Sequence, residues 1–224
     1  MVRVNNFFSA RKRPKDIELI KKLRGFDKSY FTVADLEKVL NLKRSSLYVT
    51  LNRLVKSGVL VRLGKDLYSP FTEAPDIEKI ANELYFPSYL SFEQALSQYG
   101  ILSQIPYVKT FATIRPTKKM VIAGVDVEFS HLKKQLFFGY NLRNGKYIAE
   151  KEKALLDQLY MVSMGKRSIN IEELDIRDIN KLKLEDYARK FPAQMKPLLS
   201  RIKKYMGTTP VTLEGEGRIV WGKR

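Results

Sequence analysis

The chain has 224 residues, with 41 Lys/Arg against 24 Asp/Glu, one histidine and no cysteine. That length holds one large or two modest cores, and without cysteine there is no disulfide framework, thiolate zinc site or thiol nucleophile. A net charge of +17, no apolar run near the ~18 residues of a membrane span and a start unlike a secretory signal point to a cytoplasmic protein whose partner is a polyanion, with nucleic acid first among these.

The charge is uneven. Residues 1–72 carry 16 Lys/Arg against 6 Asp/Glu, and residues 73–224 carry 25 against 18. The first third therefore holds more than half of the excess. It opens with a basic lead-in, Arg3 and Arg11-Lys12-Arg13. Pro14 suits the first turn of a helix that Gly25 ends, with Ile17, Leu19, Ile20 and Leu23 as its apolar stripe. Thr32, followed by Asp35, reads as an imperfect capping box before a second helix with Val33, Leu36, Val39 and Leu40 inward. Asn41–Lys43 is a sharp turn, and Leu42 plugs its corner. A third helix opens at Arg44 or Ser45, runs to about Ser57 and stops before Gly58. Val59–Leu63 and Asp66–Ser69 form a short hairpin around Gly64–Lys65. Helix, turn, longer helix and basic hairpin make a winged helix-turn-helix over 1–72.

Pro70–Pro75 reads as a linker. Beyond it the sequence predicts helices at Asp76–Leu84 and Ser91–Tyr99 and strands at Tyr107–Arg115, Met120–Ser130 and Gln135–Asn141. Asn144-Gly145 is a strong turn signal. A helix follows at Ala149–Met161, two or three more lie in 171–206, and Val211–Trp221 is a strand or an extended basic arm. The expected fold class is α+β: the winged helix-turn-helix, then a domain over 73–224 with a mostly antiparallel sheet and C-terminal helices.

On the third helix Leu47, Leu51 and Leu54 share one face, which must pack inward. Ser45, Val49, Asn52, Arg53 and Lys56 then point outward, with Ser46 and Tyr48 on the flanks. Asn pairs with adenine, Arg forks onto guanine, and Val or Tyr meets a thymine methyl. Lys43, Arg44 and the two serines sit at the helix N-terminus, where backbone amides favour phosphate. Arg62 and Lys65 of the hairpin suit a phosphate backbone or the minor groove. These eleven residues are the expected DNA-binding set, and double-stranded DNA is the expected partner. The lead-in arginines and lysine fit equally a minor-groove arm or a solvated terminus.

No catalytic residue, metal ligand or cofactor is expected. Asp126 and Glu128 alternate along one strand face, as a magnesium-binding pair would. The upstream Gly-Ser turn of a nucleotidyltransferase is missing, and Ser130 stands where a nuclease would place lysine. The polar side of a half-exposed strand explains the pair. No phosphate-binding glycine motif occurs, and Gly124 and Gly139 read as strand glycines at bulges.

YLSFEQALSQYGIL (89–102) and YIAEKEKALLDQLY (147–160) resemble the AbiEi-type antitoxin family. Ser91, Ala95, Leu96, Tyr99 and Gly100 carry the first motif. Ala149, Glu152, Lys153, Ala154, Leu155, Leu156 and Asp157 carry the second, and Glu150 departs from the family's small residue or proline. The resemblance spans roughly residues 14–160. It implies a transcriptional regulator of abortive infection: the antitoxin of a type IV toxin–antitoxin system that represses its own operon through an inverted-repeat operator. It also implies a nucleotidyltransferase-like toxin countered without a stable complex. Glu152, Lys153 and Asp157 are either a partner surface or simple salt-bridge pairs. The competing expectations are a regulator unrelated to toxins, whose second domain binds a ligand or protein, and a metal-dependent nucleic-acid enzyme using Asp126 and Glu128.

Overall fold

A computed structural model describes residues 14–26, 28–70 and 75–208. The lead-in cations, most of the linker and Val211–Trp221 lie outside the described residues. Helix α1 spans Pro14–Arg24 and buries Leu19, Ile20 and Leu23, whereas Ile17, expected on that stripe, stands exposed. Strand β1 (Phe31–Thr32) leads into α2 (Val33–Leu40). Asp35 N donates to Thr32 Oγ1 at 3.1 Å, and Thr32 N donates to Asp35 Oδ2 at 2.9 Å. Aspartate thus closes the capping box in place of the usual glutamate. Asn41 ends α2 at φ 51, a left-handed conformation that asparagine tolerates.

Helix α3 covers Arg44–Lys56, with Leu47, Leu51 and Leu54 fully buried. Each such leucine contributes about 1.5–3 kcal/mol by leaving water. Together they fix the rotation of α3 about its axis and leave the opposite face to solvent. Strands β2 (Leu60–Gly64) and β3 (Leu67–Pro70) form the wing, and β1 joins β3 to give the order β1-β3-β2. The wing turn falls later than the sequence predicts. Gly64 ends β2, and Asp66 takes the left-handed conformation at φ 58. The Asp66 carbonyl accepts from Val33 N at 3.2 Å, tying the turn to the start of α2.

The second domain begins with α4 (Ile77–Leu84), capped by Asp76. Then come β4 (Ser88–Leu90), α5 (Phe92–Gln98), β5 (Lys109–Thr113), β6 (Lys118–Ile122) and β7 (Val125–His131). After β8 (Tyr140–Arg143) and β9 (Lys146–Ala149) follow α6 (Lys151–Ser163), α7 (Lys181–Ala188) and α8 (Lys196–Thr208). Six strands form one sheet in the order β6-β7-β5-β4-β9-β8. The expectation of a mostly antiparallel sheet holds only in part. β6/β7, β4/β5 and β8/β9 are antiparallel, but β5/β7 and β4/β9 are parallel.

The physical reason is locality. Asn144-Gly145 and Ala123-Gly124 both carry positive φ and close tight hairpins. The first is legible in sequence, whereas Gly124, expected as a strand glycine at a bulge, instead turns the chain and splits the expected Met120–Ser130 strand into β6 and β7. The parallel pairs arise because β7 inserts between β5 and β6, and because β9 returns beside β4 across α5 and the middle strands. Neither crossover has a local signal. Strand β4 was not predicted at all, because its three residues are all buried and show no alternation.

The 89–102 and 147–160 segments converge on the second core. Lys153 and Asp157, one turn apart on α6, are fully buried and paired, settling them as core rather than surface. Tyr89 Oη and Ser91 Oγ each donate to Asp157 Oδ2 at 2.9 Å, and Lys153 Nζ donates to Tyr89 Oη at 2.8 Å. The ammonium also lies 5.1 Å from the Phe138 ring centre and 5.3 Å from that of Phe191. Burial pushes the lysine pKa down and the aspartate pKa up, each opposed by the partner's charge. Gly139, at φ 67, lets the chain pass this site: a Cβ there would come within 3.0 Å of the Tyr187 ring and 3.2 Å of the Lys153 stem.

A second buried acid, Glu78, ties α4 to the sheet. It meets Lys146 Nζ at 2.5 Å, Lys109 Nζ at 3.2 Å, and the side-chain amides of Gln94 and Gln98. Burial alone would raise its carboxyl, but Lys146, Gln98 and Lys109 outweigh that and hold it below the usual range. The two domains touch. Leu63 of the wing packs into the second core, Ala123 N donates to the Leu63 carbonyl at 2.7 Å, and Ser29 Oγ donates to Glu83 at 2.6 Å.

Candidate nucleic-acid interface

With α3 locked by its leucines, Lys43, Arg44, Ser45, Ser46, Tyr48, Val49, Asn52, Arg53 and Lys56 are all exposed, as are Arg62 and Lys65 on the wing. Val49 is 72% exposed, so an aliphatic side chain stands uncovered in the middle of a polar face. Asn52 lies one turn further along on the same side.

The N-terminus of α3 is electrostatically open. Lys43 takes the cap position without offering a side-chain acceptor, and the first turn holds no acid. The positive end of the helix dipole therefore faces solvent between Lys43 and Arg44, with Ser45 and Ser46 beside it. That combination of free amides, hydroxyls and two cations suits an anionic oxygen. On the wing, Arg62 Nε donates to the Gly64 carbonyl at 3.3 Å, which curls its guanidinium over the strand towards Lys65.

Arg53 has a protein partner that the sequence did not show. Its guanidinium grips Asp16 on α1 with two parallel bonds, Nη1 to Oδ2 at 3.2 Å and Nη2 to Oδ1 at 3.1 Å. Asp16 is nearly buried, whereas the arginine side chain is 42% exposed. The end-on fork of Nη1 and Nη2 is filled by this carboxylate, and only the side-on edge through Nε is left to meet a base or phosphate. Arg53 therefore braces α3 against α1, and its exposed edge is the part left for a partner. Asp16 was missed in the sequence because 37 residues separate it from Arg53. An acid in the first helical turn has a sufficient local explanation in the helix dipole.

Asp126 and Glu128 have different surroundings. Asp126 is exposed, whereas Glu128 is held by Arg167 Nη2 at 2.7 Å, Lys119 Nζ at 3.3 Å and Ser130 Oγ at 3.1 Å. Burial would raise the Glu128 carboxyl, but Arg167 and then Lys119 prevail and keep it below the usual range. Arg167 also binds Glu93 at 2.5 Å and stacks on Phe92. Sequence reading missed it, since it falls in a segment without periodicity. Among the described residues no three His, Cys, Asp or Glu cluster closely enough to hold a metal ion. Nor is any described helix long and apolar enough to cross a membrane.

The exposed polar face of α3, backed by three buried leucines and flanked by a basic wing, gives the segment a regulator's shape. Residues 18–70 match the family of AbiEi antitoxin transcriptional regulators. The match runs from the second turn of α1 to the end of the wing, so the AbiEi resemblance read from sequence holds there. The 89–102 and 147–160 motifs lie outside the matched segment. No curated protein matches the chain.

Proposed function

We propose that the protein is a DNA-binding transcriptional repressor of the cytoplasm that serves as the antitoxin of a type IV toxin–antitoxin system. The observation that carries this reading is the outward face of α3, held in place by buried leucines within the AbiEi-matched segment. The helix lies in the major groove, with Asn52 reading a base edge and Val49 and Tyr48 meeting thymine methyls. Lys43, Arg44 and Lys56 bind phosphates, and the wing cations follow the adjacent backbone. Two copies on an inverted repeat place their α3 helices about 34–36 Å apart, one turn of DNA. No step of this role is chemical, and Glu128, the acid an enzyme would need, is spent on Arg167 and Lys119.

The test is binding of the full chain to the DNA upstream of its own gene and to a scrambled duplex, across a salt series. The expected result is preference for the upstream DNA and an affinity that falls steeply with salt. Equal binding to both duplexes would remove the repressor reading. For the antitoxin half, the chain is co-expressed with any nucleotidyltransferase-like protein encoded beside it. Restored growth without a stable complex between the two is the expected outcome.

A further inference from the structure

The winged helix accounts for little more than half of the excess positive charge, and residues 73–224 retain 25 Lys/Arg against 18 Asp/Glu. Some of that remainder lies beside the wing. The second domain meets the wing next to its turn, not at its root. The Leu63 carbonyl accepts the Ala123 amide and Gly64 lies against the Val121 carbonyl, two residues and one residue before Lys65. From that junction β6 runs away as the outermost strand of the six-stranded sheet. Its five residues extend about 17 Å at strand rise.

Lys119 on this edge has a side chain 78% exposed, and Lys118 is exposed beside it. At the far end stand Arg115, Lys133 and Lys134, also exposed. The end of β7 is drawn to the same place, where His131 N donates to Thr117 Oγ1 at 3.2 Å and its ring meets the Arg115 carbonyl. Two carboxylates share this edge. Glu128 is shared between Lys119 and Arg167, and Asp126 lies opposite Val121. The cations therefore exceed the acids over this edge as a whole, gathered at the end of β6 away from the wing, while Asp126 is the charge nearest the junction.

We propose that the β6 edge is a second contact with duplex DNA, continuing the wing's track along the phosphates that flank each half-site without reading bases. The proposal rests on the DNA-binding function above. Its rival explanation is that lysines on an outer strand merely prevent edge-to-edge pairing between sheets.

The deciding variant is Lys118→Gln/Lys119→Gln/Lys133→Gln/Lys134→Gln in the full chain. Arg115 is spared because it stacks closely on Tyr85 and bonds the Phe86 carbonyl; Lys118 lies over the same ring at 5.1 Å, so a loss of structure through it is separated by the Lys133→Gln/Lys134→Gln pair. Each lost phosphate contact lowers the slope of log K against log salt by about 0.9. The expected result is a slope lower by about 2–3, a footprint shortened on its outer flank, and undiminished preference for upstream over scrambled DNA. An unchanged slope and footprint would overturn the proposal, all the more if the variant self-associates. Should the quadruple variant melt early, the Lys133→Gln/Lys134→Gln pair, which lies off the strands, is measured in the same way. If the parent chain shows no salt-dependent preference, the DNA-binding reading itself fails, an outcome distinct from an unaltered variant.

Discussion

Lys153→Met is expected to destabilise the protein by about 3–5 kcal/mol, the usual cost of removing one partner from a buried ion pair. In a chain of this size that lowers the melting temperature by on the order of 10 °C. The loss comes from what stays behind. Asp157 would keep its hydroxyl donors Tyr89 and Ser91 but lose the cation that offsets its desolvation. The Phe138 and Phe191 rings would lose a charge packed between them. Lys153→Met/Asp157→Leu removes both charges, so it should cost clearly less than the sum of the single changes. Thermal and urea unfolding of the three variants checks this. Additive single and double effects would mean that the pair is not a unit. Ser91, Lys153 and Asp157 thus join the 89–102 and 147–160 segments in one network at the centre of the second core.

Arg53→Ala should lower the stability of the winged helix by about 1.5–3 kcal/mol, the range for hydrogen bonds to a charged group. Asp16 would be left nearly buried with its fork empty. Asp16→Ala should cost a similar amount, and the double variant little more than either, because both changes remove the same brace. The operator readout separates a brace from a base reader. As a brace, Arg53 and Asp16 have equivalent effects, weakening affinity for every sequence and leaving base preference intact. If Arg53 instead forks onto guanine, Arg53→Ala relaxes preference at one position and Asp16→Ala does not. A panel of single-base operator substitutions measured against both variants distinguishes the two.

Much of the winged helix was legible because its signals are local. Pro14, the Thr32–Asp35 box, Leu42 in the corner and the three leucines of α3 each act within one helical turn, and each is found in the expected place. The candidates on α3 are exposed for the same reason, since the leucine face dictates its opposite, and Arg62 and Lys65 are exposed on the wing. Contacts between distant segments were not legible. The Asp16 grip on Arg53, the Arg167 bridge from Glu93 to Glu128, and the parallel pairing of β4 with β9 all join residues far apart in sequence. The buried state of Lys153 was hidden as well. A lysine and an aspartate four residues apart usually form a solvated surface pair, and only the rings around this one make it core.

In the proposed function, the outward face of α3 reads DNA. Its most direct test is the full-chain Asn52→Ala/Val49→Ala variant, which alters exposed side chains and neither the leucine core nor the Asp16 brace. Each good base contact is worth about 1–3 kcal/mol of discrimination. The variant should therefore lose at least tenfold in preference for upstream over scrambled DNA while melting like the parent and binding scrambled DNA equally well. Full retention of that preference in a folded variant would contradict the account.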